Sequence, residues 1–125
     1  MLKENEYKRV EIESATPAQR IAMLYEAAIK FLRLAKEGFE NGDIAQRGEN
    51  IGKAISVIGY LRSILDMERG QEIARALDKL YEYMIHELGE SNLRKDPKRL
   101  ETVLNLVTQL REAWQIIEKN ESGSN

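Results

Sequence analysis

The sequence contains no cysteine, only two prolines and a single histidine. Without cysteine the chain has no disulfide framework, no thiolate metal site and no cysteine nucleophile, which fits a reducing compartment. The residue three positions before His86 is Tyr83, so the Glu-x-x-His motif of di-iron helical bundles is absent as well. We therefore predict neither a metal nor a cofactor, and we expect that the protein is not an enzyme.

The sequence also lacks a basic surface of the kind that binds nucleic acid. Its 19 basic and 21 acidic residues give a net charge of -2 and are spread along the whole chain. No apolar run approaches the length needed to span a membrane, and the N-terminal region lacks the uninterrupted apolar stretch of a signal peptide. We expect a cytoplasmic protein that neither binds nucleic acid nor inserts into a membrane.

What the sequence does contain is typical of helices that are apolar on one face and charged on the other. Apolar residues make up 42% of the 125 residues and charged residues 32%, which suits one globular domain. Thr16-Pro17 and Asp96-Pro97 each place a helix cap before a proline, and Asn41-Gly42 is a stop signal. These signals predict four helices at about 17–40, 44–65, 71–91 and 97–119.

Short connections between helices of similar length favour an antiparallel arrangement, because each helix must turn back along its predecessor. We predict an all-α, up-down-up-down four-helix bundle over residues 16–119. Residues 1–15 would form an N-terminal cap segment, and residues 120–125 a flexible polar tail.

Each predicted helix carries an apolar stripe with the spacing of a buried face. We assign these stripes to the core: Ile21, Leu24, Ala28, Phe31 and Ala35; Ile51, Ile55, Ile58 and Leu65; Ile73, Leu77, Leu80, Met84 and Leu88; and Leu100, Val103, Val107, Leu110, Trp114 and Ile117.

The second and fourth helices have wider apolar faces than a bundle requires, about 200° and about 240° of the helix circumference. Such surplus apolar surface is expected to be covered by a partner. The predicted partner-binding residues are a second row on each helix, Ala54, Val57, Leu61 and Ile64 on the second and Leu106, Ala113 and Ile116 on the fourth, together with Leu110 of the main stripe.

A line of small residues runs along the flank of the second helix. Its members are Ala45, Gly48, Gly52, Ser56, Gly59 and Ser63. Glycine weakens a helix, so the line indicates close backbone approach by another element. Packing against a helix of the same bundle is the interpretation we favour, and docking of a partner helix is the alternative.

Several segments, read in order, resemble the FliS family of flagellar export chaperones. The resemblance begins with residues 15–32, ATPAQRIAMLYEAAIKFL, and covers roughly residues 7–114. Three positions depart from the family pattern: Gly70 stands alone where a glycine pair is common, Ala76 stands where asparagine is expected, and Tyr60 replaces a typical acidic residue. The later matching segments are Lys53-Ala54, Leu65-Asp66, Gly70, Glu72-Ile73-Ala74, Leu80-Tyr81, Tyr83-Met84 and Leu110-Arg111-Glu112-Ala113-Trp114.

The resemblance implies a bundle that holds the C-terminal segment of flagellin, prevents its polymerisation in the cytoplasm and delivers it to the flagellar type III export apparatus. It also implies that the N-terminal segment, with Tyr7, Val10 and Ile12, acts as a cap over the binding surface, although simple fraying of this segment is an equal alternative. A different class of function stays open: a structural homodimer whose apolar strips pair with each other and that has no client.

Overall fold

The computed structural model describes residues 15–123, and it consists of four helices joined by short connections. They are α1 (Pro17–Asn41), α2 (Ile44–Ser63), α3 (Met67–Arg94) and α4 (Pro97–Gly123). All regular structure in this range is helical, and the predicted four-helix bundle is confirmed. The predicted cap residues Tyr7, Val10 and Ile12 lie outside the described residues.

The first two helices begin where local capping dictates. The Thr16 hydroxyl accepts a hydrogen bond from the Gln19 backbone N–H at 3.1 Å, and the Gln19 side chain accepts one from the Thr16 N–H at 2.8 Å. Asp43 caps α2 by accepting from the Gln46 N–H at 3.0 Å. Between these helices Gly42 adopts a left-handed φ of 68°, which glycine permits without a steric penalty.

The third helix differs from its predicted bounds at both ends. It begins at Met67, after the N-cap Asp66, and its axis is interrupted at Gln71 (φ 44°, ψ -116°), the residue at which we predicted its start. Gln71 follows Gly70, at the place where the resemblance leads us to expect a second glycine. The helix ends at Arg94, three residues later than predicted, with Lys95 in the left-handed conformation.

The second helix ends two residues earlier than predicted, and α4 continues four residues beyond its predicted end.

The helices pack in cyclic order around one core. The main contacts of α1 are with α2 and α4, and α3 contacts the same two helices, so α1 and α3 lie diagonally opposite each other. The core is filled by aliphatic side chains from all four helices and by two buried tyrosines that the predicted stripes omitted, Tyr25 and Tyr81.

Two residues assigned to the core stripes are exposed, so that part of the prediction is wrong. Ile73 is 73% exposed and Ile117 43%. Both lie toward one end of the bundle: Ile73 is two turns before Tyr81 on α3, and Ile117 is about one turn beyond Trp114 on α4. Periodicity assigns a face of a helix, but it does not reveal where the neighbouring helices end.

Candidate functional site

One end of the bundle, where α1 begins and α2 ends, carries two connected apolar grooves. The first, here called the α1–α2 groove, has a volume of about 360 Å³. Its walls come from the first three turns of α1 and the last turn of α2. The lining residues are Pro17, Arg20, Ile21, Met23, Leu24, Ala27, Tyr60 and Ile64.

The second groove opens at the tip of the bundle, where side chains of all four helices meet. This end groove has a volume of about 290 Å³ and shares Ile21 and Ile64 with the α1–α2 groove. The two grooves are therefore adjacent parts of one apolar surface. The other residues lining the end groove are Leu61, Leu65, Asp66, Gly70, Ile73, Ala74, Leu77, Tyr81 and Trp114.

Large apolar side chains stand exposed around these grooves. Tyr60 is 55% exposed and Ile64 45%, and both lie on the last turns of α2. Met67 begins α3, close to the same end, and is also exposed. An aromatic residue on the rim of an apolar groove is the kind of side chain that contributes strongly to protein interfaces.

The floor of the end groove is fixed by a polar contact in the core. Tyr81 lines this groove, and its hydroxyl forms a hydrogen bond with that of Tyr25. Burial raises the pKa of both tyrosines, because a phenolate would lose its hydration there. Both tyrosines are therefore uncharged at neutral pH, so the part of the end groove formed by Tyr81 carries no charge.

An ion pair fixes the end of α2 against α3 beside the grooves. Arg62 Nε donates to Asp78 Oδ1 at 2.7 Å, and Arg62 Nη2 lies 3.5 Å from Glu82 Oε2. The hydrogen bond to Asp78 raises the pKa of Arg62. Because this pair is partly solvated, its role is to orient the last turn of α2 rather than to stabilise the bundle strongly.

The predicted second row on α2 is only partly at the surface. Ala54 is fully buried in the core and Leu61 is 2% exposed, so the expectation that they are exposed in the free protein is wrong. The cause is that α1 and α3 pack on both sides of α2 and cover a wide arc of it. Val57 is half-buried against the core, and Ile64 lines both grooves.

The predicted row on α4 lies apart from the grooves. Leu106 and Leu110 are half-buried against the core, whereas Ala113 and Ile116 are exposed. None of these four residues lines either groove, but the neighbouring Trp114 lines the end groove. The groove surface is therefore formed by α2 together with α1, and the predicted row on α4 (Leu106, Leu110, Ala113 and Ile116), here called the α4 strip, is a separate apolar surface.

The periodicity of the sequence did not predict that α1 contributes to the groove. Ile21 and Leu24 were assigned to the core, and they are half-buried residues that also line the α1–α2 groove. The apolar face of α1 has an ordinary width, which gave no reason to expect uncovered surface. The available signal was the flanking pair Met23 and Ala27, which extends this face beside the core stripe.

The line of small residues on α2 does not show the packing that we favoured. Among the described residues nothing lies within 4 Å of a Cβ built at Gly52 or Gly59, and at Gly48 the nearest atom, in the Asn92 side chain, is 3.8 Å away. Packing inside the bundle is therefore not the reason for Gly52 and Gly59. Docking of a partner helix, the alternative interpretation of this line, stays open.

No cluster of three or more histidine, cysteine or acidic side chains suited to a metal ion occurs among the residues that the structure describes. In the same part of the chain, none of the helices has a stretch of apolar residues that could span a lipid bilayer.

Comparison with known proteins yields a consistent group of relatives. Residues 2–121 match the family model described as flagellar protein FliS. The chain is 41% identical over 116 residues to the flagellar secretion chaperone FliS of Salmonella typhimurium, covering 89% of this chain and 86% of that protein. It is 40% identical over 113 residues to the flagellar secretion chaperone FliSB of Pseudomonas aeruginosa, covering 87% and 90%. The flagellar secretion chaperone FliS of Vibrio cholerae is 36% identical over 115 residues, covering 89% and 85%.

Proposed function

Because the chain belongs to the FliS family of flagellar secretion chaperones, we propose that it binds the C-terminal segment of flagellin in the cytoplasm. By covering that segment it blocks premature polymerisation, and it then delivers flagellin to the flagellar type III export apparatus. Membership of a chaperone family confirms the prediction that the protein is not an enzyme.

The observation that carries this proposal is the pair of connected apolar grooves. A single protein domain seldom leaves large apolar side chains such as Tyr60, Ile64 and Ile73 exposed together at one end. Together the two grooves have room for several side chains of an amphipathic segment. A client segment that is disordered when free can fold into such a surface and gain enough contact to offset its ordering.

The α4 strip supplies a second contact in this proposal. Since α2 and α4 are diagonal in the bundle, a client that wraps around the protein can reach both surfaces. Exposed Ala113 and Ile116 would meet it directly, and half-buried Val57, Leu106 and Leu110 would meet it at their outer edges. Buried Ala54 and Leu61 would support the surface from below.

We also propose that the N-terminal segment covers the α1–α2 groove when no client is bound. The segment joins the bundle at Pro17, which itself lines this groove. Ile12 is five residues before Pro17, a span of up to about 17 Å in extended chain, and the α1 wall from Pro17 to Ala27 is about 15 Å long. Tyr7, Val10 and Ile12 are thus within reach of the groove.

Light scattering with and without a flagellin C-terminal peptide tests the proposed function. A chaperone forms a one-to-one complex with the peptide. The alternative, a structural homodimer, gives a dimer that resists dilution and ignores the peptide. That second result would refute the proposed function.

A further inference from the structure

The first turn of α3 forms part of the end groove and is joined to the rest of the helix by a strained residue. Gln71 has φ 44° and ψ -116°, a conformation that residues with a Cβ rarely adopt. Strain of this kind persists only where the surroundings impose it, and it is concentrated at sites that switch or bind.

The adjacent Gly70 shows how far the turn is folded back on the helix. A Cβ built at Gly70 would lie 2.7 Å from the Cβ of Ala74, which is 3% exposed and cannot move outward. In a continuous helix the Cβ atoms of residues four apart are separated by about 5–6 Å. The kink at Gln71 therefore creates this close approach, and only glycine at position 70 permits it.

The kink lies in the middle of the groove wall. Asp66 and Gly70, on one side of Gln71, line the end groove, and so do Ile73 and Ala74 on the other side. A rotation of the Gln71 backbone would change the separation of these two pairs and thus the shape of the groove.

The turn itself is held mainly by contacts that would move with it. The Gly70 N–H donates to the Asp66 carbonyl at 2.8 Å, and the Arg69 N–H donates to Asp66 Oδ1 at 3.2 Å. Met67, Glu68 and Arg69 are exposed, so little apolar surface opposes a displacement.

We infer that Gln71 is a hinge whose strain is released when a client segment fills the end groove, so that residues 66–70 move as a unit during binding. This inference rests on the proposed function. Release of strain on binding adds to the affinity, because the strain raises the free energy of the unbound protein but not that of the complex.

Three variants of the full chain separate this hinge from a rigid turn. Gln71→Gly removes the strain from the free state and should raise the thermal midpoint by about 3–6 °C while weakening flagellin-peptide binding about tenfold. Gln71→Ala keeps the Cβ and its strain, so both values should match those of the wild type. Gly70→Ala opposes the folded-back turn, so it should lower the thermal midpoint and strengthen binding.

The measurements are differential scanning calorimetry and isothermal titration calorimetry with the flagellin C-terminal peptide. If Gln71→Gly stabilises the protein but leaves affinity unchanged, the strain is the same in both states and the hinge is refuted. If Gln71→Gly does not stabilise the protein, Gln71 stores no strain and the hinge is refuted as well. If the wild type itself does not bind the peptide, the proposed function fails, and the hinge fails with it.

Discussion

The hydroxyl groups of Tyr25 and Tyr81 form a hydrogen bond between α1 and α3, the two helices that lie diagonally opposite in the bundle. Their ring centroids are 6.5 Å apart, and both side chains are almost completely buried. Tyr81 also lines the end groove. One polar contact thus sets the distance between diagonal helices directly below the candidate binding surface.

Removal of either hydroxyl should destabilise the bundle, and Tyr25→Phe should cost more than Tyr81→Phe. Side-chain hydrogen bonds with Tyr81 and with Trp114 both affect the pKa of Tyr25, whereas among the described residues Tyr25 alone hydrogen-bonds the Tyr81 hydroxyl. An unpaired buried hydroxyl costs about 1–3 kcal/mol, so Tyr25→Phe should lower the free energy of unfolding by that amount.

Urea denaturation checks this order, with Tyr83→Phe as a matched control because Tyr83 is 45% exposed. The control should be nearly neutral. Equal stability of all three variants and the wild type would contradict the role given to the buried pair.

The bundle should lose stability at high pH because the pKa of Tyr25 and that of Tyr81 are both raised above 10.0 by burial. A raised pKa means that the neutral form is favoured in the folded state. The resulting stability is fully present below about pH 10 and is lost as the pH rises further, since the unfolded tyrosines ionise first.

Phenolate absorbance and circular dichroism, followed in one alkaline titration, test this linkage. Two of the five tyrosines should ionise only as helicity disappears. Ionisation of all five in a fully helical protein would show that the pair is not protected.

Substitution by alanine should change the stability of the bundle in opposite directions at two glycines, Gly38 and Gly52. A Cβ at Gly38 would lie 2.6 Å from the Arg47 backbone nitrogen, so Gly38→Ala must push α1 and α2 apart and should cost about 1–3 kcal/mol. Gly52 has nothing within 4 Å among the described residues, so Gly52→Ala should stabilise α2 by up to about 1 kcal/mol. Thermal unfolding of both variants measures the contrast, and destabilisation by Gly52→Ala would show that this face is covered.

The sequence predicts the features that depend on neighbours along the chain. Thr16 and Asp43 cap their helices with their own side chains, and the starts of α1 and α2 follow from that local chemistry. The bundle follows from the apolar stripes and short connections.

Features that depend on the positions of the other helices cannot be predicted from the periodicity of one helix. The surplus width of the α2 face was visible, but the sequence does not reveal that α1 and α3 bury Ala54 and Leu61 while leaving Ile64 uncovered. In the same way Ile21 and Ile73 share the periodicity of the core, and they line grooves because the bundle ends beside them.

The measurement that tests the account most directly compares two isoleucines at opposite ends of α2. Ile64 is 45% exposed and lies in both grooves, whereas Ile44 is 65% exposed at the other end and serves as the matched control. Ile64→Asp would place an unpaired charge against a bound client, where its burial costs several kcal/mol. In the free protein the same charge is solvated.

Calorimetric titration with the flagellin C-terminal peptide, with thermal midpoints measured in parallel, gives the answer. The account predicts that both variants stay folded with midpoints near that of the wild type. It further predicts that Ile64→Asp weakens binding at least about tenfold, whereas Ile44→Asp leaves it unchanged. Equal peptide affinity in the wild type and both variants would contradict the assignment of the grooves as the client-binding surface.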